Sequence, residues 1–158
     1  VHKGEQYMNS DLYKKILIAT DGSEQNQKAI EYGVDLAKIS NAKVYPVYVV
    51  DTAAFSSIPM DSGWEMMYDL IKKEGREATD QVVKLAEEAG LECEPTILEG
   101  HPSHEIIDFA KNNDIDVIVM GTLGKSGLDK FLLGSVAEKV IRNSPAPVLV
   151  VRGDEKKE

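Results

Sequence analysis

Glycines at positions 121, 124, 127 and 134 leave a stretch of main chain free of side chains just before a helix start. That pattern is suited to gripping a phosphate. The segment runs Met120-Gly-Thr-Leu-Gly-Lys-Ser-Gly-Leu-Asp-Lys-Phe-Leu-Leu-Gly-Ser135, with the spacing Gly, two residues, Gly, nine residues, Gly-Ser. Glycine permits close main-chain approach and positive φ, so successive N–H groups can converge on phosphate oxygens. Gly134-Ser135 then opens a helix, whose unpaired N–H groups and positive dipole end favour an anion. Ser135 can donate to that anion or cap its own helix. Lys125 sets one cation beside the loop. A second polar cluster, Thr20-Asp21-Gly22-Ser23, supplies a carboxylate that reads either as an acid near a ligand or as a turn former.

Other phosphate and catalytic motifs fail on spacing. Gly124-Lys125-Ser126 ends like a phosphate loop of the Gly-four-residues-Gly-Lys-Ser kind, but Val119 stands where the first glycine belongs. No Gly-x-Gly-x-x-Gly follows the first strand, and no Gly-x-Ser-x-Gly elbow exists to make Ser126 a nucleophile. Thr20-Asp21-Gly22-Ser23 also lacks the Ser-Gly-Gly of the related pyrophosphatases. His101 and His104 flank Pro102-Ser103, yet no Cys or carboxylate cluster completes a metal-ligand spacing, so they read as a solvated or capping pair.

The elements that must position these groups follow from hydrophobic period. Residues 14–20 form a short apolar run ending in the Asp21 turn, a strand followed by a helix with Ala29, Ile30, Gly33, Leu36 and Ala37 at helical spacing. Ser23 is placed as its N-cap and Asn41 suits its exit. Residues 44–50 read as a second strand despite Pro46, and 51–63 as a loop of no clear pattern. A long helix follows over 64–89, with Met67, Leu70, Ile71, Ala78, Val82, Leu85, Ala86 and Ala89 on one side. Met66 and Met67 read as packing residues, Trp64 as packing or interface, Gly75 as a loosening point and Gly90 as the C-terminal cap. A third strand is expected over 91–98, a short helix over 103–112, a fourth strand over 115–120, a final helix including Val136, Val140 and Ile141, and a fifth strand over 147–151.

Strands alternating with helices predict a doubly wound, five-stranded parallel sheet, α/β in class, with helices on both faces. For strand order 3-2-1-4-5 the winding reverses between the first and fourth strands, where ligands bind such sheets. Asp21 and the Gly121 loop stand at those two strand ends.

Composition narrows the function classes. The 158 residues suit one domain, read as 13–152, with 1–12 a polar arm and 153–158 a charged tail. Hydrophobic residues at 42% and charged residues at 28% describe a globular chain. No apolar run approaches the roughly 20 residues that cross a bilayer. The polar start without an apolar signal core, and a single cysteine, Cys93, point to the cytoplasm. Cys93 lies in an alternating stretch and reads as a half-buried strand residue. A net charge of -9 excludes a general nucleic-acid binder but not a phosphate held by main-chain N–H groups.

The glycine spacing, Lys14-Lys-Ile-Leu-Ile-Ala-Thr-Asp-Gly-Ser23 at the start and Gly134-Ser-Val-Ala-Glu-Lys-Val-Ile141 leading into Pro145-Ala-Pro-Val-Leu-Val-Val151 together resemble the ATP-binding branch of the universal stress protein family, over residues 13–152. The resemblance implies an adenine nucleotide alpha hydrolase-like fold and a nucleotide-dependent regulatory role in stress. It implies that Ala19 and Thr20 border the nucleoside, that Asp21 lies near the nucleotide and its metal, and that Val49 meets adenine. Met120 and Gly121 would form the floor under ribose and phosphates, with Gly124 and Lys125 in the phosphate loop and Gly134, Ser135 and Val136 as a second phosphate-contacting segment. The implied cofactor is ATP with Mg or Mn, with AMP, ADP and cyclic AMP as other occupants. The implied assembly is a homodimer through Val148, Leu149, Val150 and Val151. Ala137 lacks a hydroxyl that some relatives carry, which removes one phosphate contact. Two alternatives stay open: a slow ATPase or phosphotransferase, for which Asp21 is the motif-linked carboxylate, and a nucleotide-free dimer that binds a partner. Replacing Gly124 with Val is expected to block phosphate approach with little loss of folding. Unchanged ATP affinity in calorimetry would contradict the loop assignment.

Overall fold

The structure, a computed structural model, describes residues 12–55, 62–122 and 134–153. The arm expected over 1–12 (Leu12 apart), the tail beyond Gly153, and Gly124 and Lys125 lie outside the described residues. Five strands form one parallel sheet: β1 (Lys15–Ala19), β2 (Lys43–Asp51), β3 (Thr96–Gly100), β4 (Val117–Gly121) and β5 (Val148–Val151). Their order is β3-β2-β1-β4-β5, as the alternation predicts. The helices are α1 (Gln27–Ser40), α2 (Ser62–Glu88), α3 (Pro102–Asn112) and α4 (Ser135–Asn143), with 3-10 turns at Glu24–Asn26 and Thr52–Phe55.

Both faces of the sheet are covered, so the central strands read as unbroken apolar runs. On β1, Ile16 and Ile18 turn to α1 and α2 while Leu17 turns to α3 and α4, all three completely buried. Each such side chain contributes about 1.5–3 kcal/mol through burial. α1 closes on β1 because Gly33 leaves room for Ile18, whose Cδ1 lies 2.6 Å from where a Cβ would stand. At the edge of the sheet away from the strand exits, Asp116 Oδ2 accepts from the N–H groups of Lys14 and Lys15 at 2.8 and 2.9 Å, tying the start of β1 to that of β4.

Helix exits follow the expected residues. Asn41 ends α1 in the left-handed region (φ 50), its N–H directed at the carbonyls of Ala37 and Lys38. Gly90 (φ 72) ends α2, with Leu91 N–H bonded to Ala86 O at 2.9 Å.

Four expectations are corrected. The third strand runs over Thr96–Gly100 rather than 91–98, and Cys93 makes only an isolated bridge to Val44. Val44 faces Cys93 and Val47 faces Thr96 with the same offset, which leaves Pro46 opposite Pro95. Neither has an N–H to give, so the ladder lapses there. Cys93 is half-buried, and burial, with Glu87 nearby, pushes its thiol up to about 11, away from reactivity. Ser23 does not cap α1 with its hydroxyl, which is engaged by Asp21. Met66, Met67 and Leu70 are not core residues: they are 75%, 41% and 58% exposed.

Gly75, finally, is no loosening point. It is buried, and the Tyr48 ring packs so close that a Cβ would lie 2.7 Å from Tyr48 Cδ1. Alanine for glycine inside a helix normally gains about 0.5–1 kcal/mol. Here the overpacking of a ring 5% exposed outweighs it. Gly75→Ala is expected to destabilise by about 1–2 kcal/mol in urea unfolding; a gain in stability would contradict this packing.

Candidate functional site

β1 and β4 lie side by side, yet the chain leaves β1 for α1 on one face and β4 for α4 on the other. Their carboxyl ends therefore part, and a cavity of about 510 Å³ opens there. Its size falls in the range of small-molecule sites.

The β1 exit forms one wall. Thr20 continues the ladder by donating to Val47 O at 3.0 Å, and its Oγ1 accepts from Gly22 N–H at 3.3 Å. Gly22 takes φ +77, a turn that few other residues allow. Asp21 Oδ1 accepts from both the N–H and the hydroxyl of Ser23, at 2.9 and 2.6 Å. Asp21 is thus a turn former and also lines the cavity. Asn26, 5% exposed, donates from Nδ2 to Ala19 O at 3.3 Å, while its Oδ1 has no partner. That bond holds the β1 end against α1.

The opposite wall is built from β4 and α4. Thr122 donates to Val151 O at 3.1 Å, and Gly134 N–H returns to Thr122 O at 2.9 Å. Gly134 is the N-cap of α4, with φ -60 and ψ 151, angles any residue can take. The glycine is favoured by space instead: a Cβ there would crowd Thr122 O at 3.0 Å. Ser135 is therefore not the cap but the first helical residue. The first closed helical bond is Glu138 N–H to Gly134 O. By helix geometry the N–H groups of Ser135, Val136 and Ala137 have no intrahelical acceptor, and all three residues line the cavity.

The far end is apolar, with Val49, Ile71, Pro102 and Ile106, and carries the carboxylates of Asp51 and Glu74. A side-chain network steadies α2 at this end. Tyr68 donates its hydroxyl to Glu99 Oε1, and Lys72 Nζ lies 3.4 Å from the same oxygen. The Tyr68 bond, aided by Lys72, holds the Glu99 carboxyl below its ordinary value. Trp64 stacks on Tyr68 with ring centroids 5.4 Å apart.

Of the residues singled out by sequence, Ala19, Thr20, Asp21, Val49, Met120, Gly121, Gly134, Ser135 and Val136 all line this one cavity. Sequence reasoning missed Asn26, Asp51, Ile71 and Glu74. Asn26 resembles any polar residue at a helix boundary, and Asp51 at the end of β2 and Ile71 and Glu74 on α2 lie far along the chain from the glycine motif. His101 and His104 are exposed, their rings 5.1 Å apart, and His101 holds the N-cap position of α3 without a side-chain bond. Among the described residues no group of three His, Cys, Asp or Glu can hold a metal ion, and the cavity is lined by no Lys, Arg or His. No helix among them is long and apolar enough to cross a membrane.

The chain was compared with known proteins. The profile of the Universal stress protein family matches residues 12–152. Universal stress protein MJ0531 of Methanocaldococcus jannaschii is 48% identical over 146 residues, covering 92% of this chain and 86% of that protein. Among solved structures, that of hypothetical protein MJ0577 superposes with a TM-score of 0.81 at 31% identity, covering 92% of this chain and 99% of its own. A universal stress protein solved in complex with cAMP superposes with a TM-score of 0.65 at 26% identity, covering 90% and 98%. With the profile spanning nearly all of the described fold, the chain belongs to the universal stress protein family.

Proposed function

We propose that the cavity binds ATP, with a divalent cation carried on its phosphates, and that the protein serves as a nucleotide-dependent regulatory module in the stress response. The observation that carries this reading is the start of α4, whose Ser135, Val136 and Ala137 N–H groups border the cavity where the sheet reverses its winding. These donors and the helix dipole supply positive potential that the described side chains lining the cavity lack. The apolar far end, between Val49 on the sheet and Ile71, Pro102 and Ile106 on the helices, suits a flat heterocycle. The relative in complex with cAMP supports an adenine nucleotide as the class.

Mg or Mn fits here only as a companion of the phosphates. Among the described residues no three-ligand protein site exists, and Asp21 is the carboxylate that borders the cavity on the β1 side. The cation neutralises phosphate charge that would otherwise face Asp21. Gly124 and Lys125 complete the proposed phosphate loop from outside the described residues.

We also propose a homodimer through β5. It is an edge strand, paired with β4 alone among the described residues, and its Leu149 is 38% exposed, with Ile141 on α4 44% exposed. An apolar edge of this kind is a template for pairing unless covered. Sedimentation is expected to show a dimer; a monomer at every accessible concentration would end this assignment.

Calorimetry with purified protein is expected to show ATP binding that Mg strengthens. No binding at millimolar ATP would overturn the reading. Gly134→Ala pushes a Cβ against Thr122 O and so displaces the start of α4. It is expected to weaken ATP binding about tenfold while costing about 1 kcal/mol of stability, measured by calorimetry and urea unfolding respectively.

A further inference from the structure

The first turns of α2 carry two apolar faces. Trp64, Tyr68 and Ile71 pack inward against the buried Tyr48 and Val50 of β2, with Ile97 of β3 in the same cluster. Met66, Met67 and Leu70 point the other way and are 75%, 41% and 58% exposed. Residues three and four apart share one side of a helix, so Leu70 groups with Met67 and Met66 into a single patch. Large apolar side chains grouped in this way, rather than scattered singly, mark an interaction surface.

The charges around the patch decide what fits it. Glu65 and Asp69 flank it toward the start of the helix, and Lys73 and Arg76 flank it further along, all four exposed. By helical period the four lie on one side of the patch. A second copy of α2 laid parallel would set acid against acid and base against base. Laid antiparallel, with Leu70 of one copy on Leu70 of the other, it sets acids against bases. At 1.5 Å of rise per residue, Glu65 comes level with Arg76 to about 1.5 Å and Asp69 with Lys73 to about 3 Å. Glu77 then falls opposite Gly63, which brings no like charge.

We propose that this face of α2 is an interface between two copies of the chain, packed antiparallel about a two-fold axis at Leu70. Methionine and leucine side chains from both helices fill the seam, and each charge pair occurs twice by symmetry and sets the direction. The patch is smaller than the roughly 800 Å² per partner of a standard interface, so association through α2 alone is weak. α2 lies over β2 and β3, and β3 is the sheet edge opposite β5. The contact therefore leaves β5 free to pair, and it stands apart from the nucleotide reading.

The test is disulfide cross-linking of the purified full chain carrying Leu70→Cys, under mild oxidant. Helix axes about 8–10 Å apart bring the two Cα atoms at the two-fold within the roughly 4.4–6.8 Å that a disulfide spans. Ile39→Cys, at a 67% exposed position on α1, is the collision control. Leu70→Cys is expected to link at least tenfold faster than Ile39→Cys. In the Leu70→Cys background, Glu65→Arg or Arg76→Glu alone is expected to slow linking about tenfold. The two reversals together are expected to restore it. All these positions except Ile39 lie on the outer side of α2, and thermal melts check that each variant folds. Linking no faster than in Ile39→Cys, or a double reversal that fails to restore it, would overturn the interface. Co-sedimentation of the unsubstituted protein with phosphatidylcholine vesicles, lost in Leu70→Glu, would overturn it too by assigning the face to a lipid surface.

Discussion

The approach of Gly134 to Thr122 is the constraint on which the anion end of the cavity depends. The Gly134 N–H meets the Thr122 carbonyl at 2.9 Å, and a Cβ at Gly134 would stand 3.0 Å from that oxygen. This closure brings the start of α4 back beside the end of β4. It also leaves the first-turn N–H groups of Ser135, Val136 and Ala137 at the cavity wall, where a side-chain cap would have satisfied one of them. The glycine serves here by its size rather than by its backbone angles, which are ordinary ones.

The scaffold and the site are held by different means. β1 and β4 are buried on both faces and joined at their starts by Asp116, so their registers are set far from the cavity. Their carboxyl ends are then free to carry polar groups whose hydrogen bonding the fold leaves unfinished. The unpartnered Oδ1 of Asn26 is one such group. An unsatisfied buried acceptor costs on the order of 1–3 kcal/mol, and a core packed on two faces can offset it. The Tyr68, Lys72 and Glu99 network does the same work at the opposite rim by fixing α2 against β3.

The strand order and the two layers of helices were legible in the sequence because a βα alternation with short links admits few topologies. Asn41 and Gly90 were legible because left-handed exits demand particular residues. What escaped was whatever depended on contacts distant in the chain. Pro46 opposite Pro95 breaks a ladder only when the register of two strands is known. Gly75 reads as a weakness until Tyr48 is placed against it. Met67 and Leu70 match the period of a buried face and Met66 reads as a packing residue, yet the face of α2 that meets the sheet here carries Trp64, Tyr68 and Ile71 instead. In the cavity, the motif residues Asp21, Gly121, Gly134 and Ser135 announced themselves by type and spacing. Asn26, Asp51 and Glu74 have no local signature, since a carboxylate or amide at the end of an element or on the surface of a helix is ordinary.

The central claim is that main-chain N–H groups at the start of α4 hold a polyphosphate at the seam of the sheet. A crystal structure of this protein grown with ATP and Mg tests it most directly. The account predicts phosphate oxygens about 2.7–3.2 Å from the amide nitrogens of Ser135 and Val136, with the base beyond Val49. Density showing the seam filled by the protein's own side chains, or ATP bound elsewhere, would contradict it.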